Sequence, residues 1–256
     1  MIVNILNLLV YFLTSLSIGL IIFSGLANPK KTGEGFFQLI YSLSGSGLFI
    51  SFVAMISIKG YYSSYLLLLL FSSLICLLLR TIQKDHKSVS MYFLQFIIIA
   101  FGISYLNFFF GYNYSSLIIT SSSLLLLGIV TYSMVMGHWY LVTPKLSAKP
   151  LINATYITWF LIFFKLCISI YFYFQNQKLF TEGTAAGGGY AFNWIMLIMR
   201  YVWGYLILFV MSVFAFKLLK IRSLQSATGI LYAETFFVFV GELISMYYFF
   251  ANGVLL

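Results

Sequence analysis

Five ionisable side chains lie inside long apolar segments in the second half of the chain, while the first half carries none in such a position. They are His138, Lys165, Arg200, Glu234 and Glu242. A charged group in hydrocarbon costs about 2.5 to 3.5 kcal/mol on insertion scales, so such groups usually face a functional interior. A series of titratable groups could carry protons or bind a charged solute. We therefore predict an ion path, a proton path or a ligand-binding region around these five residues.

Counting along the segments gives each of these residues an approximate height in the membrane. Arg200, Lys165 and Glu242 lie eight to ten residues from the segment ends opposite the basic loops, so they share one level. Glu234 precedes Glu242 by eight positions, which places it roughly 12 Å deeper and about 80° around the same helix. His138 is three residues from the inner end of its segment. The five residues therefore predict a ladder from an outer layer toward the basic face.

Each of the five residues also has a purely structural interpretation. Arg200 and Glu242 could form a fixed ion pair that fastens two helices, because pairing lowers the cost of both charges. Lys165 could extend its aliphatic stem toward water. Glu234 could be protonated and bonded to a neighbouring hydroxyl, and His138 could anchor the protein at the membrane interface. All five being inert together is less probable than any one, so the functional interpretation is preferred.

Hydroxyl groups precede His138 on the same predicted helix. They include Thr120, Ser121, Ser122 and Ser123, which could present a polar face to the charged layer. Alternatively they bond their own helical backbone, as Ser and Thr often do. A second small-residue run, from Ser42 to Gly47, predicts close packing between helices, because small side chains let helix backbones approach one another in lipid.

The composition identifies an integral membrane protein. Of 256 residues, 62% are hydrophobic and only 7% are charged. The mean hydropathy is +1.02, which is far outside the range of soluble domains. The formal net charge of +9 would suggest nucleic acid in a soluble protein. Here the cations lie in short loops between apolar segments, so we expect the lipid bilayer as the partner and no nucleic acid.

Eight apolar segments are long enough to cross a bilayer as helices, since about 20 residues are needed. Runs such as Leu66 to Leu70 are continuously apolar, whereas the strands of a membrane barrel would alternate apolar and polar residues. The prediction is an all-α, polytopic membrane helix bundle with eight transmembrane helices in one domain that spans residues 1–256. The predicted helices cover about 2–27, 35–58, 61–80, 89–110, 115–141, 151–174, 190–216 and 225–250.

The loop cations predict the orientation. Ten Lys and Arg residues fall on one face, and only Lys59 and Lys178 on the other. Cytoplasmic loops retain positive charge, so the basic face is expected in the cytoplasm, with both termini on the non-cytoplasmic side of a cell membrane. The ten residues are Lys30, Lys31, Arg80, Lys84, Lys87, Lys145, Lys149, Lys217, Lys220 and Arg222.

Several site chemistries are poorly supported. Cys76 and Cys167 fall at different depths, so a disulfide is not expected. Metal catalysis needs clustered His, Cys, Asp or Glu, and no such spacing occurs. A bis-histidine haem needs two intramembrane histidines, but only His138 is available. There is no recognisable set of acid, base and nucleophile, so we expect that the chain is not an enzyme on its own.

Three functions remain open. The first is a proton-linked or ion-linked carrier, or a channel, whose path runs among the last four helices. The second is a quinone-reactive or haem-associated membrane subunit of an electron-transfer complex, in which His138, Tyr140 and Glu234 would contact the quinone. The third is a structural membrane subunit. Two segments at the basic face, around Tyr140 and around Gln225, could contact a ligand or a cytoplasmic protein subunit.

Overall fold

Helices account for every regular element in the part of the chain that the structure describes. The computed structural model describes residues 2–58, 65–83, 89–111, 114–143, 146–184 and 188–254. The long helices are α1 (Ile2–Phe23), α2 (Glu34–Ile56), α3 (Leu66–Ile82), α4 (Val89–Phe109), α5 (Tyr114–Val142), α6 (Lys149–Gln175), α7 (Tyr190–Lys220) and α8 (Leu224–Asn252). Short helical turns at Ser24–Leu26, Pro29–Thr32 and Gln177–Phe180 lie between them.

The prediction of an all-helical integral membrane protein is confirmed. Among the described residues, seven helices are long and apolar enough to cross a membrane. The exception is α3, which has 17 residues and would cover about 26 Å of a hydrocarbon layer about 30 Å thick. The start of its predicted span, residues 61–64, lies outside the described ranges. The count of eight spans therefore stays a prediction.

The orientation also stays a prediction. Four of the cations on which it depends lie outside the described residues, namely Lys59, Lys84, Lys87 and Lys145. The other cations are described, and most of them lie at the ends of helices or in the turns between helices.

Helix α1 lies at the centre of the bundle. It packs against α2, α4, α5 and α8. Helix α5 is the most enclosed of the seven long spans and lies between α1, α6 and α8. Helix α8 packs along both α5 and α7. The four helices that carry the predicted ladder therefore form one side of the bundle, and α1 joins that side to α2, α3 and α4.

Glycine allows two of these contacts to be close. A Cβ on Gly19 of α1 would lie 2.6 Å from the Cα of Gly128 on α5, so only hydrogen fits there. In the predicted small-residue run of α2, Gly45 faces Cys76 of α3 and Gly47 faces Ser17 of α1. The small residues thus allow close helix packing, as the sequence predicts.

The connection between α1 and α2 shows how local sequence ends and restarts a helix. The side chain of Asn28 accepts a hydrogen bond of 3.1 Å from the backbone N–H of Lys30, and Pro29 follows at the first helical position. Gly33 then has φ of 78°, a left-handed conformation that favours glycine. The indole N–H of Trp139 donates to the carbonyl of Thr32 at 2.9 Å, which ties this connection to the end of α5.

The contact between Gly19 and Gly128 predicts a specific stability defect. Gly19→Ala should lower the free energy of unfolding by about 1 to 3 kcal/mol, because the new methyl group must separate two packed backbones. The matched control is Gly229→Ala in α8, where a Cβ would meet nothing within 4 Å. That control should leave stability unchanged or raise it slightly. Thermal unfolding in detergent measures both, and equal effects of the two variants would contradict the contact.

The charge pattern predicts which ends of the helices face the cytoplasm. In a Cys167→Ser background, Glu182→Cys should react with a membrane-impermeant maleimide added to intact cells, and Lys220→Cys should react only after permeabilisation. Both positions are exposed, and Cys76 is buried, so the introduced thiols dominate the labelling. The reverse order of labelling would invert the predicted topology.

Candidate functional site

Three charged side chains from three helices meet inside the bundle. Lys165 Nζ of α6 lies 2.5 Å from Glu242 Oε2 of α8, and Arg200 Nη1 of α7 lies 3.1 Å from Glu242 Oε1. The exposed fraction of the side chain is 2% for Lys165, 0% for Glu242 and 1% for Arg200. These are the three residues that the depth count places at one level. We call Lys165, Arg200 and Glu242 the ion cluster.

Hydroxyl groups complete the surroundings of the ion cluster. Lys165 Nζ also donates to the hydroxyl of Ser123 on α5. Arg200 Nη2 donates to the hydroxyl of Tyr205 at 2.6 Å, and the guanidinium carbon lies 4.7 Å from the centroid of that ring. From α1, the buried side chain of Tyr11 lies near Ser123. The polar face predicted for α5 is therefore only partly realised, because Ser122 bonds the backbone of its own helix.

The ion cluster has more positive groups than negative ones. Two cations share one carboxylate, so the group carries an excess of one positive charge when all three members are ionised. In addition, Nε of Arg200 is buried and makes no hydrogen bond within the described part of the chain. Arginine N–H groups pair with carboxylate and phosphate in a planar, two-pronged geometry. The arrangement therefore retains capacity for an anionic group.

A change of helical period positions Arg200 and Tyr205. Residues Val202–Ile207 of α7 form a π-helical segment. In an α-helix, residues five apart point about 140° away from each other, whereas the i to i+5 bonding of a π-segment brings them toward one face. The segment also lies against α8, where a Cβ on Gly241 would be 2.5 Å from the Cα of Gly204. Such segments occur frequently at functional sites.

Glu234 is buried deeper along α8. Its exposed fraction is 3%, and its Oε1 makes no hydrogen bond among the described residues. Helices α5 and α8 are antiparallel, because Thr228 Oγ1 bonds the carbonyl of Gly137 at 3.0 Å while Lys165 links Ser123 to Glu242. Glu234 lies six residues after Thr228 on α8, in the direction of Glu242.

The same register identifies the residue of α5 at that height. Thr131 lies six residues before Gly137 on α5, at the same distance from the contact between Thr228 and Gly137. Its hydroxyl is also buried and makes no hydrogen bond within the described chain. Glu234 and Thr131 therefore lie at one level, below the ion cluster. The structural interpretation of Glu234, in which a hydroxyl bonds its carboxyl group, is not realised at Oε1.

The three predicted residues at the basic face lie apart from the ion cluster. His138 is exposed, and its Nδ1 lies 2.9 Å from the hydroxyl of Tyr232, which is 45% exposed. Tyr140 is buried and donates its hydroxyl to the carbonyl of Ser147. Gln225 is exposed at the start of α8. The structure thus brings Lys165, Arg200 and Glu242 together but does not gather the other predicted residues into one buried site.

A short segment of the α6–α7 connection is bound to the start of α7 beyond the ion cluster. The carbonyl of Leu179 accepts a hydrogen bond of 2.7 Å from Asn193 Nδ2. The carbonyl of Phe180 accepts a hydrogen bond of 3.1 Å from the indole N–H of Trp194. Tyr248 of α8 donates to Asn193 at 3.2 Å. Asn193 precedes Arg200 by seven residues, so these bonds lie about 10 Å from the ion cluster along α7.

Sequence reasoning missed Tyr205 and Tyr11 as members of the site. The spacing of five between Arg200 and Tyr205 matches no face of an α-helix, so the pattern offers no signal for that contact. Tyr11 belongs to an N-terminal half without intramembrane charges. Its only sequence signal is a hydroxyl within an apolar stretch.

No protein-family model, no curated protein and no solved structure matches this chain. Inferences about its function therefore depend on the geometry of the site.

The shared carboxylate predicts an asymmetry between two substitutions. Glu242→Gln leaves two buried cations without a counter-charge and should cost about 3 to 5 kcal/mol of unfolding free energy. Lys165→Met leaves the pair of Arg200 and Glu242 intact and should cost only about 1 to 2 kcal/mol, mainly from lost hydrogen bonds. Thermal or denaturant unfolding in detergent measures the difference.

Glu234→Gln is the matched control for that experiment, because it replaces a buried carboxyl group without breaking an ion pair. We expect a change below about 1 kcal/mol. If Lys165→Met proves as damaging as Glu242→Gln, charge balance does not govern the stability of the ion cluster.

Proposed function

We propose that this integral membrane protein is a proton-linked or ion-linked carrier whose path runs among α5, α6, α7 and α8. The observation that supports the proposal is the ion cluster, in which three different helices each contribute a charged side chain that is at most 2% exposed. Buried ion pairs add little stability compared with apolar residues of the same volume. A bundle that needed only cohesion would gain as much from apolar side chains, so the charges favour binding and transport.

A carrier fits the geometry better than an open channel. The ion cluster is enclosed, and the segment Gln177–Phe180 is tied to α7 on one side of it. A carrier must hold its solute in such an occluded site and open it alternately to each side. The π-helical segment of α7, next to Arg200, is a candidate hinge for that change. Interrupted helices form the binding sites of many carriers.

The proposal assigns a role to each charged residue. The excess positive charge of Arg200 and Lys165 binds an acidic group of the solute, with Glu242 as their resting partner. Glu234, roughly 12 Å deeper, takes up and releases the coupled proton or ion. His138 lies at the inner end of the predicted path. The basic loops face the cytoplasm, as the distribution of cations favours.

The alternatives have less support. A quinone would need His138, Tyr140 and Glu234 to converge, but His138 is exposed against Tyr232 and the hydroxyl of Tyr140 is bonded to Ser147. A structural subunit would use the ion cluster only to fasten helices. That interpretation predicts normal ion fluxes in variants that still fold, so the transport experiment separates it from a carrier.

Transport in proteoliposomes tests the carrier. Under an imposed pH gradient or membrane potential, wild-type protein should pass protons, Na⁺, K⁺, chloride or phosphate faster than empty liposomes. Glu234→Gln and Glu242→Gln should each reduce the flux to the level of empty liposomes, because each removes a titratable carboxyl group from the path. A trapped pH-sensitive dye and ion-selective electrodes provide the measurement.

The matched control is Glu34→Gln at the exposed start of α2, which should transport as wild type does. Fluxes that are unchanged in both late-glutamate variants would refute the path. A wild-type protein that passes none of these ions would refute the ion-linked carrier itself.

A further inference from the structure

A cavity lies between α6 and the middle of α7, beside the ion cluster. Its volume is about 420 Å³, which is within the range of small-molecule sites. The walls come from Trp159 and Phe163 of α6 and from Tyr201, Tyr205 and Leu206 of α7, among others. They are almost entirely aromatic or aliphatic. The cavity therefore suits an apolar chain rather than a compact polar solute.

The mouth of this cavity opens on the outer surface of the bundle. Phe163 is 67% exposed and Leu206 is 59% exposed, and both lie within segments that span the membrane. A bilayer would surround this mouth with acyl chains. Entry is therefore lateral, from lipid, rather than from water.

The inner wall separates the cavity from a buried cation. Tyr205 is 3% exposed, lines the cavity and accepts the 2.6 Å hydrogen bond from Arg200. Tyr201, next to it, contacts the hydroxyl of Ser169 at 3.3 Å. The ring of Tyr205 thus lines the apolar space and lies 4.7 Å from the guanidinium carbon.

The charge behind that ring is incompletely matched. Arg200 shares Glu242 with Lys165, and Nε of Arg200 makes no hydrogen bond among the described residues. An acidic group that entered through the cavity would find a guanidinium with spare donors. The π-helical segment that carries Tyr205 places this ring at the boundary between Arg200 and the cavity.

We propose that this cavity binds the apolar chain of a single-chain acidic amphiphile, whose carboxylate or phosphate head pairs with Arg200 when Tyr205 turns aside. Carboxylate and phosphate share the chemistry that a guanidinium recognises. This inference names the solute class of the proposed carrier and rests on the ion cluster being its binding site. It also explains why a charged site adjoins an opening toward lipid.

Photo-crosslinking tests the proposal on the whole purified protein in detergent. The probes are a diazirine-bearing fatty acid, an alkyl phosphate of the same chain length, and the matching uncharged alcohol. Either acid should label peptides around Trp159, Phe163 and Leu206 at least about tenfold more strongly than the alcohol, since the head group adds a charge-assisted pair. Comparing the two acids shows which head group is preferred.

Two substitutions locate the probe. Leu206→Trp should fill the cavity and reduce acid labelling about tenfold. The matched control, Leu78→Trp on the lipid-exposed surface of α3, should not change it. Tyr205→Phe removes the hydroxyl that holds Arg200 and should increase acid labelling relative to wild type. Size-exclusion profiles of each variant confirm that it is folded.

Several results would overturn the proposal. Equal labelling by acid and alcohol would mean ordinary contact with lipid. Acid labelling that survives Leu206→Trp, or that Tyr205→Phe leaves unchanged or reduces, would place the ligand elsewhere. The outcome is separable from that of the carrier. Ion flux that depends on the late glutamates, without acid labelling, removes only the amphiphile site. Acid labelling of a protein that passes no ions, even when that acid is present in the liposomes, removes only the carrier.

Discussion

Two buried cations share one carboxylate where α6, α7 and α8 meet, and this constraint organises the second half of the protein. Arg200 and Lys165 are held by opposite oxygens of Glu242. Because hydrocarbon offers no water to either cation, the helices that carry them must stay in contact with α8. Ser123 brings α5 into the same arrangement through its bond to Lys165. The relative heights of four helices are thus tied to one carboxyl group.

The close packing of helices around the ion cluster depends on glycine residues, which have no side chain beyond a hydrogen atom. Gly204 and Gly241 let α7 and α8 approach beside Arg200, and Gly19 and Gly128 do the same for α1 and α5. The second contact brings Tyr11 of α1 close to Ser123. Close backbone packing and the enclosure of charge therefore support each other, since a wider separation would admit lipid or water between the helices.

The fold and the site were predictable to different degrees. Apolar run lengths sufficed to predict helices and a membrane location, because a bilayer admits few other structures. Depth counting placed Lys165, Arg200 and Glu242 at one level, since each residue advances a helix by a nearly constant rise. It placed His138 at the correct end of α5 but not on the exposed side of that helix, because height carries no information about which side faces a neighbour.

The sequence by itself determined the features that follow from residues close together in the chain. These are where the apolar helices run, where glycine and proline interrupt them, and how deep each charge lies. Only the tertiary structure decided which way each side chain points around its helix and which residues it contacts. It made Glu242 the shared partner of two cations, it left Oε1 of Glu234 unpaired, and it introduced a π-helical segment that turns Tyr205 toward Arg200. These features depend on contacts between residues far apart in the chain or on a helical period that differs from that of an α-helix. A pattern read along the chain at the α-helical period does not contain that information.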